Sequence, residues 1–547
     1  MTYQRELCRA AALVTFIVTG IFAAALTHAE SVDPFVKLEA EGVVIRDVLI
    51  NRINVFDTSK PGENKGFYRA ANSIHWVTRE SVIRGQLLFK PEDRVSAQKV
   101  EESERLLRRN NYIYDVTIEP LPVSDGVVDI RVTTRDNWTL SPQLNWQREA
   151  GQTEYYIGIE EKSIFGTGSA VSFIIEDDGD RTSSLFGFNN DNLAGGWWGM
   201  TLGYRDSSDG DAQRFRLQRP FYSLDSRWTA GIDVGAVDQQ EPVFSFGDEA
   251  TEYRRDETRV FLSAGRSRGL QGSWTRRWTT GLAIEDSRFE PVPALGEPSI
   301  APESRDLRYP WVRFEAIENR FIKTRNLNRI DVTEDLQVGR RFSALIGWFG
   351  HTLGSDRDGA IMDFRASGAT GNPDFGLFSW SAGASGRLET GDFVNGRFRI
   401  TANLIRRQSD KRSYFLGFNS VIAHEPDLDS LVPLGGQTGL RGFDREYANG
   451  DARFVATLEQ RYITDWYPFK IFRIGAAAFV DAGRVWGKDA LGRQESRWLS
   501  DVGVGLRLMS TRAESNRMFH IDFAYPMQRG DGIDRGVQIL LEAKRGF

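Results

Sequence analysis

The 547-residue chain holds 69 basic and 75 acidic residues, for a net charge of -6 and a pI near 5.7, so no global basic field exists to attract nucleic acid. Charged residues are 26% of the chain and mean hydropathy is -0.39, which excludes a polytopic helical membrane protein, and the mixed sign excludes a disordered polyelectrolyte. After residue 30 no apolar run approaches the ~18 residues of a spanning helix. Aromatics reach 12%, with 53 Gly, 14 Trp and 35 Phe, a balance that suits an all-β barrel. Only 11 of the 69 basic residues are Lys. The Arg excess suits charges held in fixed, bidentate pairs inside a confined space.

In chain order, Arg5 and Arg9 precede an apolar stretch from Ala10 to Leu26 that ends at Thr27-His28-Ala29. A charged start, an apolar middle and a small residue before the cut predict a secretory signal peptide over residues 1–29. Cys8, the only cysteine, falls within it, so the exported chain would need no disulfide. Residues 30–42 read as a linker. Residues 43–138 read as a small α+β domain of order β-α-α-β-β. Its predicted elements are a strand over Val43–Phe56, helices over Ser81–Phe89 and Ala97–Asn110, and strands over Val116–Leu121 and Val127–Thr133. The last two are joined by a Ser124-Asp125-Gly126 turn.

From residue 139 to 547 the helical period is lost and short alternating segments recur between Gly, Asp, Asn and Ser clusters. In the clearest strand Ile474, Ala476, Ala478, Val480 and Ala482 form one face. Gly475, Ala477, Phe479, Asp481 and Gly483 form the other. One apolar face against one small or polar face over about ten residues is the pattern of a lipid-facing barrel strand. The fold class is therefore mainly β: a C-terminal transmembrane antiparallel barrel, expected to have 16 strands, behind one small α+β domain. The final strand ends at Phe547, an aromatic terminal residue that resembles the sorting signal of bacterial outer-membrane barrels.

Gly435–Phe443 reads GGQTGLRGF, and FVDAGRVW follows at Phe479–Trp486. This pair resembles the BamA/TamA superfamily of outer-membrane assembly and translocation barrels, whose sixth external loop carries an RG(F/Y) tip and whose companion strand carries F-x-D-x-G. IFGTG at Ile164–Gly168 and RPFY at Arg219–Tyr222 resemble the early-barrel pattern. The FKPEDRVS…ESERLLRRNNYIYDVTI stretch resembles a POTRA domain, of which one is legible here where the assembly factors carry several.

The resemblance implies a loop motif of Leu440, Arg441, Gly442 and Phe443. Alternation places Phe479 and Asp481 toward the lumen; in the preceding strand Phe454, Ala456 and Leu458 suit lipid, turning Glu459 and Arg461 inward. Arg441 would then meet Glu459 and Asp481, with Phe479 and Gly483 lining the contact. A structural role, in which Arg441 only stabilises the barrel, is the competing reading of that contact. The resemblance implies a non-enzymatic protein of a Gram-negative-type outer membrane with its POTRA-like domain in the periplasm. Implied partners are unfolded outer-membrane or secreted β-rich proteins, the lipid bilayer with lipopolysaccharide, and periplasmic accessory proteins, with no nucleic acid. Substrate would add to an edge strand at Val43–Phe56, Val116–Leu121 or Val127–Thr133. The weak seam would lie between Ser141–Arg148 and Val537–Phe547.

A passive pore or a lipid-handling barrel is the alternative, since inward Arg and Asp suit a water-filled lumen equally. No cofactor or metal is expected: His75, His351, His424 and His520 lack zinc-ligand spacing, and the acidic loops lack a full calcium pattern. Gly265-Arg-Ser-Arg-Gly269 matches the G-x-S-x-G hydrolase elbow, but its flanks read as strands rather than strand–turn–helix, which argues against a catalytic Ser267.

Overall fold

The computed structural model describes residues 33–547 apart from 125, 150–151, 178–180, 246–247, 293–299, 445, 490–491, 514–517, 531–532, 534–535 and 545. The expected signal peptide, Cys8 included, lies outside the described residues.

The small domain begins earlier than the expected strand. Helix α1 (Pro34–Ala40) starts on Asp33, whose carboxylate accepts from the Phe35 N–H (2.9 Å), with Pro at its first position. Phe35 is buried against Val43, Val48 and Leu107. The expected linker is thus partly core; one core residue in seven is too few to reveal a helical period. There follow β1 (Val44–Ile53), α2 (Gly66–Ile74), α3 (Glu80–Arg84), α4 (Ala97–Arg108), β2 (Ile113–Ser124) and β3 (Val127–Asp136). The helix expected over Ser81–Phe89 stops at Arg84, and the Gly85 N–H caps it on the Ser81 carbonyl (2.9 Å). Helix α2 is absent from the predicted elements, because it buries only Tyr68. The sheet order is β1-β3-β2, with β1 parallel and β2 antiparallel to β3. Val127–Thr133 is therefore central and is removed from the three candidate edge strands.

Only Asn137–Thr139 separate β3 from the barrel, whose strands run from Leu140–Glu149 to Gln538–Lys544 in antiparallel order. Among the described residues twenty strands close the barrel, in place of the sixteen expected. The excess has a simple origin: connections as tight as Ser207 to Gly210 and Glu389 to Asp392 leave residues for more strands than evenly long loops would. Alternation is strict where it matters. Along Phe472–Lys488 every odd residue from Gly475 to Val485 is buried, while Ala478 and Val480 are exposed. Ile157, Phe173, Leu282, Leu458, Val504 and Phe519 extend this exposed apolar belt around the wall.

The ladder is uneven at its closure. The last strand shares seven residue pairs with Met518–Pro526, but among the described residues it meets the first strand at the single pair Ile539↔Arg148.

The small domain lies across one end of the barrel, touching turns all round it. The Arg79 N–H donates to the Gly166 carbonyl (2.9 Å), Asn192 donates to the Gly85 carbonyl (3.0 Å), and the Leu224 N–H donates to Glu102 (2.7 Å). Across the ring Tyr68 donates to the Phe469 carbonyl (3.2 Å) and Arg512 to Glu63 (2.9 Å). A further hairpin, Phe321–Arg325 with Thr333–Gln337, projects from the same end. Arg108 grips Asp335 at 2.8 and 2.9 Å, Lys323 pairs with Glu104 at 2.7 Å, and Tyr114 donates to the Asp331 carbonyl at 3.1 Å. The hairpin tip also holds the chain end: the Asn328 carbonyl accepts from the Phe547 N–H (2.8 Å), and Ile330 and Val332 pack with Met509, Met518 and Phe547.

Candidate functional site

The segment between strands Arg412–His424 and Ala452–Ile463 leaves the far end of the barrel and folds back inside. Val432–Leu434 and Ala448–Gly450 pair as a short antiparallel ribbon. A 3-10 turn at Gly436–Thr438 ends on Gly439 at φ 110°, a backbone that favours glycine, and this reverses the chain into Leu440-Arg441-Gly442-Phe443. Leu440 and Phe443 drive the insertion: both are buried in a cluster with Leu434, Tyr447 and the inward wall residues Val455, Val485 and Leu499. Gly483 belongs to that cluster's floor, since a side chain there would meet Leu434 and Val455.

Arg441 is thereby carried to Glu459 and Asp481. Its Nε and one terminal nitrogen donate to the two Asp481 oxygens (2.8 and 3.1 Å), and the other terminal nitrogen donates to Glu459 (3.0 Å). The Phe479 ring centroid lies 3.4 Å from the guanidinium carbon, so the cation has an aromatic face beneath it as well as carboxylates at its edge. Gly442 donates its N–H to Asp501 (3.1 Å), and a Cβ at this position would stand 2.7 Å from the Asp501 Cβ. Glycine is required there for closeness rather than for an unusual backbone angle.

Three further charges complete the cluster. Arg507, fully buried, bonds Asp522 (2.6 Å) and reaches Glu459 (3.5 Å); Asp522 in turn lies 3.6 Å from Arg441. Arg461 pairs with Glu459 (2.8 Å) and sits 5.3 Å from the Phe547 ring centroid. Three guanidinium groups and four carboxylates, Asp501 included, thus tie the loop to four consecutive strands, Ala452–Ile463 through Met518–Pro526. These are the strands that lead into the final one. Sequence reasoning missed Asp501, Arg507 and Asp522 as partners. The signal was present, since Asp522 and Arg507 stand on the small or polar faces of their alternating strands, but a face does not specify which loop it receives.

Phe547 lies beyond the last strand with its ring turned to the hairpin tip and Arg461. Ser267 sits in a strand hairpin, with its hydroxyl donating to the Arg276 carbonyl (2.8 Å), so no elbow forms.

Residues 428–542 match the family model of the Omp85 superfamily domain, and residues 75–135 match that of the surface antigen variable number repeat, the POTRA unit. No curated protein matches the chain. Among solved structures it is similar to BamA from Haemophilus ducreyi lacking POTRA domains 1-3, at 15% identity over 91% of this chain and 83% of that one, with a TM-score of 0.39. CdiB from Acinetobacter baumannii is 14% identical over 92% and 74%, with a TM-score of 0.45. CdiB from Escherichia coli is 13% identical over 92% and 76%, with a TM-score of 0.47. The two family matches identify an Omp85 superfamily domain over residues 428–542, within the barrel, and a POTRA-type repeat over residues 75–135, within the small domain.

Proposed function

We propose that this protein sits in the outer membrane of a Gram-negative-type bacterium, receives unfolded β-rich polypeptide at its periplasmic POTRA domain, and inserts or translocates it through a barrel that opens at its seam. Residues 1–29 would be removed on export, residues 43–138 would face the periplasm, and residues 139–547 would span the membrane. The observation that carries the reading is that, among the described residues, first and last strands are joined by the single pair Ile539↔Arg148. Unpaired backbone groups are costly in lipid, so a strand that satisfies them is bound there more strongly than anywhere else on the wall.

The Arg441 loop supports the same reading. It braces the four strands before the seam from inside, leaving the closure itself as the compliant element. Capture would use the β1 edge around Leu49–Ile53. On the other edge, β2 carries Pro120 and Pro122, which supply no N–H to an incoming strand.

Cysteines at positions 148 and 539 test the proposal. Oxidation should lock the seam, stop the appearance of new outer-membrane or secreted β-proteins in a strain dependent on this chain, and be reversed by reductant. Full activity of the locked protein would overturn the seam mechanism. An unchanged outer-membrane proteome on deletion would overturn substrate handling and favour the pore or lipid reading.

A further inference from the structure

Helix α2 buries Tyr68 and turns Phe67, Ala70 and Ile74 outward, an i, i+3, i+7 stripe in which Phe67 is 68% and Ile74 70% exposed. Trp76, just beyond the helix, is also exposed. A large apolar stripe facing away from its own core calls for a partner.

What covers it is indicated by its neighbours. At one end Tyr68 bonds the carbonyl of Phe469, which is 78% exposed on the turn between strands Ala452–Ile463 and Phe472–Lys488, beside exposed Trp466. At the other end Trp76 packs edge-on against Phe165 (4.9 Å), exposed on the turn between strands Gln152–Glu161 and Ser169–Asp177. These two turns flank the closure of the barrel, so the helix bridges beneath the seam. Its stripe continues the exposed aromatics of the barrel rim, where a transmembrane barrel meets the lipid interface. The charge agrees. Glu63 is bound by Arg135 and Arg512, whereas exposed Lys65 and Lys470 have no acidic partner among the described residues.

We propose that α2 and Trp76 lie in the periplasmic leaflet of the outer membrane, directly under the seam, with Phe67, Ile74 and Trp76 in the acyl boundary and Lys65 and Lys470 at lipid phosphates. This rests on the membrane reading above and adds a lipid contact for the POTRA domain itself. Its consequence is local: the leaflet beside the seam is anchored to the domain that delivers substrate.

The test uses the exported chain, residues 30–547, which carries no cysteine of its own, reconstituted into vesicles of phosphatidylethanolamine and phosphatidylglycerol. Nitroxide labels are placed singly at Phe67→Cys, Ile74→Cys, Val504→Cys on the outer wall and Glu101→Cys on exposed α4. Labels at 67 and 74 should show an oxygen-to-nickel-complex accessibility ratio several-fold above that at 101, and the Lys65→Glu, Lys470→Glu pair should lower it. Aqueous ratios at 67 and 74 with a lipid ratio at 504 overturn this inference alone. An aqueous ratio at 504 overturns the membrane reading itself. Protection at 67 and 74 that arises only on adding unfolded β-rich polypeptide would identify the stripe as a substrate site instead, and also overturns the inference.

Discussion

Arg441 is the residue on which the inserted loop depends, because three of its N–H groups reach carboxylates while an aromatic ring lies against its face. Arg441→Ala leaves Asp481 without its bidentate partner in a buried setting, and breaking such a pair costs about 3–5 kcal/mol. Leu440 and Phe443 alone do not offset that, so the loop should leave the lumen while the hydrogen-bonded wall persists. Protease added from outside should then cut within residues 436–447, with the heat-dependent mobility shift of a folded barrel retained. Loss of that shift would make the residue structural only. Arg441→Lys keeps the charge but cannot span Asp481 and Glu459 together, and should fall between the two. Gly442→Ala should expose the same cut without any change of charge, since its Cβ would collide with Asp501; overpacking of this kind costs about 1–3 kcal/mol. Much of this site is legible in the sequence. A period of two assigns Glu459 and Asp481 to the inside from their apolar neighbours alone, and a loop arginine needs acid. Asp501 is not legible, because its partner is a backbone N–H, which sequence does not advertise.

The hairpin Phe321–Gln337 is the element that joins domain, barrel and chain end. Its two strands are five residues each, too short to separate from loop by periodicity, and α1 and α2 are hidden in the sequence for a related physical reason: each contributes a single buried side chain. What holds the hairpin to the domain is polar and specific, led by Arg108 on Asp335. Arg108→Ala should therefore raise hydrogen exchange in residues 321–337 and in α4 together, leaving the barrel strands protected. Exchange rising in only one of the two would mean that other contacts carry the junction. On the opposite side α4 meets Leu224 through Glu102. Burial pushes the Glu102 carboxyl up, partly offset by the Leu224 N–H and by Arg105. A carboxyl whose folded value is raised stabilises most below its unfolded pKa and loses that contribution as pH rises through the folded value. Glu102→Gln keeps the acceptor for Leu224 and removes the charge. It should flatten the decline in domain melting temperature between acid and neutral pH, and a pH dependence identical to wild type would show that Glu102 is not its source.

At the scale of the molecule, the proposed function leaves two routes for a substrate: sideways through the seam, or along the lumen past the domain. They make opposite demands on the same structure. Opening at the seam would part the one residue pair found there among the described residues and leave the domain where it is. Widening the mouth of the lumen would cost the domain its contacts with turns on both sides, from Gly166 and Leu224 round to Asp335, Phe469 and Arg512. With only Asn137–Thr139 between β3 and the barrel, and Asn137 and Thr139 both buried, such a movement breaks the junction rather than flexing a tether. On the proposed function, lateral insertion is therefore the route with the smaller structural change, because it parts the single ladder pair seen among the described residues where the other gives up a docking surface. Cysteines at Glu104 and Lys323, an ion pair at 2.7 Å, allow the domain to be fixed to the hairpin with a short bis-maleimide. Fixed this way, the protein should go on inserting β-barrel substrate at the wild-type rate while the 148–539 disulfide stops it. In planar bilayers the Arg108→Ala, Lys323→Ala variant should conduct more than wild type, since it loosens the domain over the mouth. Arrest by the 104–323 link with the seam left free would reverse the assignment and make the lumen the path.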